Sequence, residues 1–543
     1  MDGINLLFFF KLTNLPRLLL PYIIDRGASY GKLLQDDQPE GSEANADRKK
    51  VVVEFSSPNL GKAFDGLHLR STIIGAFLAT SYENLGWDVV RINFLGDWGK
   101  PVGLLAAGWS KFGSDESLEA DPLRHVLDVY TQTEQLKEQQ KAARNTQEGE
   151  EDGNASTITE IEAERDQCCK QLEEGDQNTL DLWNKFRELC VTRYVELYAR
   201  LGITFDEYSG ESKVKKETIE EVENTLRDNG VYHETDEGWM IEFSKPDEKG
   251  LGSIKGRSSD GTTTYLLRDI AAVLDRTKQH SFDKMIYVVS ARQTAHFTQV
   301  KKALELMGLS DLALKLEHFS FGDAHGLSAN EGASGLLLGD ILDQCRDATK
   351  LALETDQDAS GHFFGHDPTV VADALGALNL TVIELSSRRG SIINIDVDSM
   401  ATVGGYTGLS LQKWYTIIST RLGGVRIDRA ELETSDYSVF EGEEMPYADV
   451  LRLLIQFPGI VKTWAFERLD PSHVLTFLFN VLDLMPRLWE EENEAESSVQ
   501  NLAKLALYET LRQTLGNGMK LLGIVPIGSP NDLMKDALLS ECI

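Results

Sequence analysis

The stretch Val51-Val52-Val53-Glu54-Phe55-Ser56-Ser57-Pro58-Asn59 decides the fold. A β-branched and aromatic run closed by a Ser-Ser-Pro-Asn turn reads as a buried strand. From His68 to Leu85 apolar residues recur at helical spacing, and Val89 to Phe94 reads as a second strand. Strand, loop, helix and strand in that order begin a βαβ unit and commit the chain to a parallel sheet. A second βα stretch repeats the signal, with Thr262 to Leu266 as strand, a helix reaching Gln279, and Lys284 to Ser290 as strand.

Working outward, residues 1–47 hold an apolar run, a Leu-rich helical stretch from Leu15 to Ile24 and a polar, acidic linker from Gln35 to Asp47. Glu134 to Asp176 is rich in Glu, Gln, Lys and Asp and includes the charge run Glu148–Asp152, the pattern of a solvated helix pair or loop insertion. Beyond about residue 346 strand signals fade into amphipathic helices, among them Val450–Phe457, Val474–Trp489 and Asn501–Leu522. The expected division is a truncated accessory segment at 1–47, an α/β domain at 48–345 with an acidic insertion near 130–180, and an all-helical domain at 346–543.

The 543 residues carry 54 Lys and Arg against 87 Asp and Glu, a formal charge of −33. That excludes a pervasively basic nucleic-acid coat and argues against adhesion to anionic membranes, though a local basic face could still meet a nucleic acid. With 41% hydrophobic and 26% charged residues the composition is that of a globular chain. Cys168 and Cys169 are adjacent while Cys190, Cys345 and Cys542 are scattered, so neither a disulfide scaffold nor a metal-ligand spacing arises. The apolar opening Leu6–Phe10 follows Asp2, is interrupted by Lys11 and Arg17, and falls short of the ~18 residues a span needs. A cytoplasmic protein with no membrane, no DNA partner and no metal is expected.

Longer strings carry a family resemblance: VEFSSPN (53–59), HLRSTIIGAFLA (68–79), NLGWDVVRINFLGDWGK (84–100), YARLGITFDEYSGES (198–212), SSDGTTTYLLRD (258–269), FDKMIYVVS (282–290) and LGNGMKLLGI (515–524). Together they resemble arginyl-tRNA synthetases of the eukaryotic cytosolic type over nearly the whole chain. The resemblance implies a class I synthetase-like Rossmann catalytic domain with insertions, followed by an all-α anticodon-binding-like domain.

Two of the family's signatures are altered. The phosphate-binding H-x-G-H at the start of the first helix corresponds here to Asp65-Gly66-Leu67-His68, which keeps only its last histidine. An acid facing a triphosphate repels it by several kcal/mol in a partly desolvated site. The basic Met-Ser-Thr-Arg-Lys-Gly loop corresponds to Leu327-Ser328-Ala329-Asn330-Glu331-Gly332, a degenerate ATP loop at Ser328, Asn330 and Glu331 without its cations. The family's F-E-G-D-T-G-P-Y-L-Q-Y stretch has become Val403–Lys413, leaving Arg388, Arg389 and Lys413 as local cations for tRNA phosphates.

The arginine contacts that the resemblance implies are all present: Glu54, Asn59, Tyr265, Asp269 and Gln293, with His296 one turn further. Carboxylates suit a planar guanidinium, and an amide and a phenol fix its orientation. An intact arginine pocket beside two altered phosphate clamps resembles the fungal arginine-containing cyclodipeptide synthases. The expectation is therefore a cyclodipeptide synthase joining arginyl-tRNA and a second aminoacyl-tRNA without ATP or cofactor, in secondary metabolism. His68 and Asp65 are its candidate catalytic groups, and Ser56, Ser57, Ser290 and Ser328 its candidate nucleophiles. Arginine–tRNA ligation and non-catalytic arginine binding are the alternatives.

Overall fold

Lys50–Glu54 is β1, the middle strand of a five-stranded sheet. In a computed structural model the described residues are 14–32, 48–147, 158–243, 251–325, 336–355, 367–394, 405–441, 446–494 and 501–526. β1 pairs in parallel with β2 (Asp88–Leu95) on one side, Val51 opposite Val89, and with Lys284–Ser290 on the other, Val51 opposite Lys284. β3 (Glu207–Gly210) extends the sheet beyond β2. The small antiparallel sheet of β4 (Tyr232–Thr235), β5 (Gly238–Glu242) and β6 (Ser253–Ser258) then intervenes before the chain returns as β7 (Lys284–Ser290) and β8 (Leu316–Phe321). The order β3-β2-β1-β7-β8 reverses direction at β1, which opens a crevice at the carboxyl ends of β1 and β7.

The Val run works because both faces of β1 are covered. Val51, Val53 and Phe55 belong to the larger core and Val52 to a second one with Ile92, Ile270 and Met285, all fully buried. The helix α1 (Asn14–Arg26) precedes the sheet, and α2 (Gly66–Asn84) follows β1 so closely that a Cβ at Gly75 would lie 2.2 Å from the Phe55 ring. Where it is described, the acidic stretch Glu134–Asp176 is helical. α3 (Lys100–Phe112) and α4 (Asp115–Ala120) lead to α5 (Pro122–Gln147), α6 (Glu160–Glu174) and α7 (Gln177–Arg200). The charge run Glu148–Asp152, the apolar run Leu6–Phe10 and the linker from Gln35 lie outside the described residues.

Thr262–Leu266 is not a strand. Asp260 accepts hydrogen bonds from the backbone and hydroxyl of Thr262, and Ser258 N–H bonds Thr262 C=O, so the threonines turn the chain. After α8 (Lys216–Asp228), the next helix, α9 (Tyr265–His280), thus begins where the strand was expected to end. α10 (Thr294–Leu306) follows β7. The expected helix Val474–Trp489 is two, Pro471–Leu482 and Met485–Glu494. Among the described residues one helix, Pro368–Ser386, has the length and apolarity to cross a bilayer, but 67% of its apolar window is buried inside the fold, and it carries the buried Glu384.

Arg70 of α2 joins the sheet to the helical half. Its side chain, 0% exposed, donates to Glu384 at 2.7 Å and to the carbonyls of Gly322 (2.9 Å), Asp323 (3.2 Å) and Ser391 (2.7 Å). Arg70→Met strands a buried carboxylate and should lower stability by about 3–5 kcal/mol. Arg452→Met, which breaks an exposed pair with Asp449, should change it by less than about 0.5 kcal/mol. Denaturation midpoints followed by circular dichroism compare the two variants.

Candidate active site

The crevice begins where β1 ends. Ser56 and Ser57 take left-handed backbone angles, φ 68° and 49°, which non-glycine residues adopt only when held. Ser56 N–H donates to Ser71 Oγ, and that hydroxyl donates to Val288 C=O, so α2 and β7 together fix the turn. Asn59 then bridges to Gly96 at the end of β2, and a Cβ on Gly96 would lie 2.0 Å from the Asn59 amide oxygen. Glu54, expected to face a ligand guanidinium, is already engaged. Its Oε2 lies 2.5 Å from Nη2 of Arg276 with angles short of a hydrogen bond, and the two residues are 5% and 6% exposed. The Arg276 guanidinium rests 4.5 Å over the Phe94 ring. Burial raises the Glu54 carboxyl pKa while Arg276 opposes the rise.

The amino end of α9 and the turn after β7 supply the other wall. Tyr265, the first residue of α9, is 63% exposed and tilts over the His296 ring with centroids 5.1 Å apart. One turn on, Asp269 Oδ2 meets His296 Nε2 at 2.6 Å. Gln293 is exposed and immediately precedes α10, on which His296 lies. Tyr265, Asp269 and His296 are therefore in one contact group, with Gln293 at its edge. A residue not singled out from the sequence joins them. Glu211, partly buried just after β3, has its carboxyl pushed up to about 8 by burial and by the nearby Asp269 and Asp97 charges, against Arg268 and Lys62. It stands in the string YSGES, whose lone acid after a short strand carries no spacing pattern of its own.

At the mouth of the crevice Asp65 is the N-cap of α2. Its Oδ1 accepts from the backbone N–H groups of Leu67 and His68, both at 3.0 Å, and lies 2.8 Å from His68 Nδ1. Burial works against the Asp65 carboxylate, but His68 and these backbone donors outweigh it and hold its pKa below the ordinary value. The His68 ring also packs on Phe64, with centroids 5.4 Å apart. Ser328, Asn330 and Glu331 lie outside the described residues. The remaining serines have other work: Ser56 Oγ is 2.5 Å from Tyr198 Oη and accepts from Thr72, Ser57 Oγ donates to Phe55 C=O, and Ser290 caps Arg292 N–H. A cavity of about 270 Å³ lies between β3 and α9, lined by Glu207, Lys213, Asp275 and Arg276 among others, and includes none of the residues chosen from the sequence.

Chemically the crevice is an acid cluster. The Asp269 charge acts on both Glu54 and Glu211, and Arg276 is committed to Glu54. A planar cation entering beside Asp269 and Glu211 would relieve their repulsion.

Residues 31–394 match the family model for class I tRNA synthetases (R), catalytic domain, and residues 426–529 match the DALR anticodon binding domain. The chain is 34% identical over 535 residues to the cytoplasmic arginine–tRNA ligase of Saccharomyces cerevisiae, covering 97% of this chain and 82% of that protein. It is also 34% identical over 534 residues to that organism's mitochondrial arginine–tRNA ligase, covering 97% and 77%. The arginyl-tRNA synthetase of Plasmodium falciparum has the same fold, with a TM-score of 0.67 at 20% identity over 90% of this chain and 78% of that one. These relatives overturn the expected cyclodipeptide synthase, since the proteins matched along 97% of the chain are arginine–tRNA ligases. The serine contacts agree with that correction, because Ser56, Ser57 and Ser290 are each tied into the turns around the crevice.

The raised Glu211 carboxyl gives a signed pH prediction. Glu211 is protonated in the empty site below about 8 and must ionise to pair with a guanidinium, so arginine binding should tighten as pH rises from 6 to 8 and then level. The slope should approach tenfold per pH unit, with one proton released per arginine bound. Titration calorimetry in buffers of different ionisation enthalpy reads both. Glu211→Gln should flatten the slope and weaken binding at pH 8.5.

Proposed function

We propose a function from one premise: the chain belongs to the class I arginyl-tRNA synthetase family. The reaction is arginine–tRNA ligation. The arginine carboxylate attacks the α-phosphorus of ATP and expels pyrophosphate, and a terminal tRNA hydroxyl then takes the arginyl group and releases AMP. The observation that carries the reading is the crevice between β1 and β7, where Asp269 and Glu211 share an acidic wall beneath the exposed Tyr265.

In this reading Asp269, oriented by His296, and Glu211 take the guanidinium. Tyr265 covers its plane, and Asn59 and Gln293, at the ends of β1 and β7, orient the amino-acid end. Glu54 contributes at one remove, by holding Arg276 against Phe94. His68, at the first turn of α2, faces the triphosphate, and the amino end of that helix favours an anion there. Asp65 occupies the same end and opposes it. The helical region holding the anticodon-domain match receives the tRNA, with Arg389 stacked on Phe319 at 4.1 Å beside the junction. The free thiols of Cys168, Cys169 and Cys190 support a reducing compartment, and we assign the cytoplasm.

Purified chain given arginine, ATP, magnesium and a total tRNA pool should form an alkali-labile arginyl ester on tRNA and release pyrophosphate. Absence of that ester with arginine binding intact overturns the ligase reading. Asp65→Ser keeps an N-cap and removes the anion, and should lower KM for ATP about tenfold while KM for arginine stays within twofold. Steady-state kinetics on both substrates measures the split.

A further inference from the structure

We infer that Glu173, at the carboxyl end of α6 in the acidic insertion, is a positioning residue for the arginine pocket and sets its affinity through Arg268. The inference rests on the pocket reading above and goes beyond it, because Glu173 belongs to a segment whose composition reads only as solvated surface. One oxygen of Glu173 gathers three donors from three parts of the core: Trp98 Nε1 at 3.1 Å from the end of β2, Thr263 Oγ1 at 3.0 Å from the turn before α9, and Arg268 Nη2 at 2.7 Å from α9 itself. Arg268 is 4% exposed and donates from all three of its side-chain nitrogens. Its Nε donates to Thr263 Oγ1 at 2.7 Å, its Nη1 to the Glu211 carbonyl at 2.9 Å, and its guanidinium lies 5.1 Å over the Trp98 ring.

Arg268 therefore touches the backbone of Glu211 on one side and precedes Asp269 on the other, so it fixes the separation of the two acids that take the guanidinium. Glu173 is the anion that keeps the buried Arg268 in that pose. Arg268, three hydrogen bonds and a burial penalty act on Glu173 together, and the partners prevail to hold its pKa below the usual glutamate range. With Glu173 neutral, Arg268 loses its carboxylate, and Glu211, whose carboxyl already feels the Arg268 charge, is the alternative partner. Arg268 would then compete with arginine for that acid and lower the pH at which the acid ionises.

The test is arginine binding by titration calorimetry on the full chain, which needs no ligation. Glu173→Gln should weaken arginine about tenfold at pH 8 and move the break in the pH profile below that of the wild type. KM for ATP should stay within about twofold, since the substitution leaves the ATP end of the crevice alone. Thr263→Val, which removes the hydroxyl shared by Glu173 and Arg268, should produce a smaller change of the same sign and decides the matter if Glu173→Gln fails to fold. Glu164→Gln, on the same helix, breaks only the surface pair with Lys111 and should bind arginine like the wild type. Unchanged affinity and pH break in folded Glu173→Gln overturns the inference, as does an equal loss in Glu164→Gln. A wild-type chain that binds no arginine overturns the ligase reading and this inference together.

Discussion

The buried guanidinium of Arg70 is the constraint on which the rest of the structure depends. It donates to Glu384 Oε1 and to three backbone carbonyls, all from segments distant in sequence. Those carbonyls mark the end of β8 and the entry to the helical half, so one side chain on α2 sets the angle between sheet and helices. The same helix carries Asp65 and His68 at its amino end. The geometry of the crevice mouth and the junction with the helical half are thereby one problem with one solution. Burial raises the Glu384 carboxyl to about 7 even with Arg70 beside it, a sign of how little water reaches the pair.

The central strand was legible because its chemistry is redundant. Val51, Val52 and Val53 are buried on both faces, so no register or neighbour had to be known for the run to read as a strand. Thr262–Thr264 misled for the opposite reason. Threonine favours strands by its branching, but a preceding Asp260 that can bond both its hydroxyl and its backbone favours a turn more, and local competition of that kind is invisible to periodicity. The helix over 474–489 divides at a Leu-Asp-Leu-Met stretch that contains neither glycine nor proline before Pro486, so no breaker announced it.

Long strings pointed to the candidate site, and single residues did not. Tyr265, Asp269 and His296, chosen from those strings, lie in contact. Arg276 and Glu211 had no signal, because an arginine about three turns along an amphipathic helix and an acid after a short strand are ordinary surface residues until tertiary packing buries them. Their burial changes the meaning of Glu54 as well, from a group waiting for a ligand to one that has its partner. In a chain of net charge −33, further acids in a crevice are unremarkable by count and informative only by where they converge.

The short segment at 14–32 packs against the far end of the chain. Tyr30 Oη donates to Leu454 C=O across 424 positions, and Asn517 Nδ2 donates to Gly27 C=O across 490. A ribosome adding ~5–20 residues per second delivers Asn517 roughly 25–100 s after Gly27 has been made. The α/β core can collapse during that interval, but α1 cannot seal its apolar face until the segment holding Leu454 and Asn517 has been made. Nascent chains thus keep Leu19, Leu20 and Ile23 exposed until that partner segment has been made, a window in which a holding chaperone could cover them.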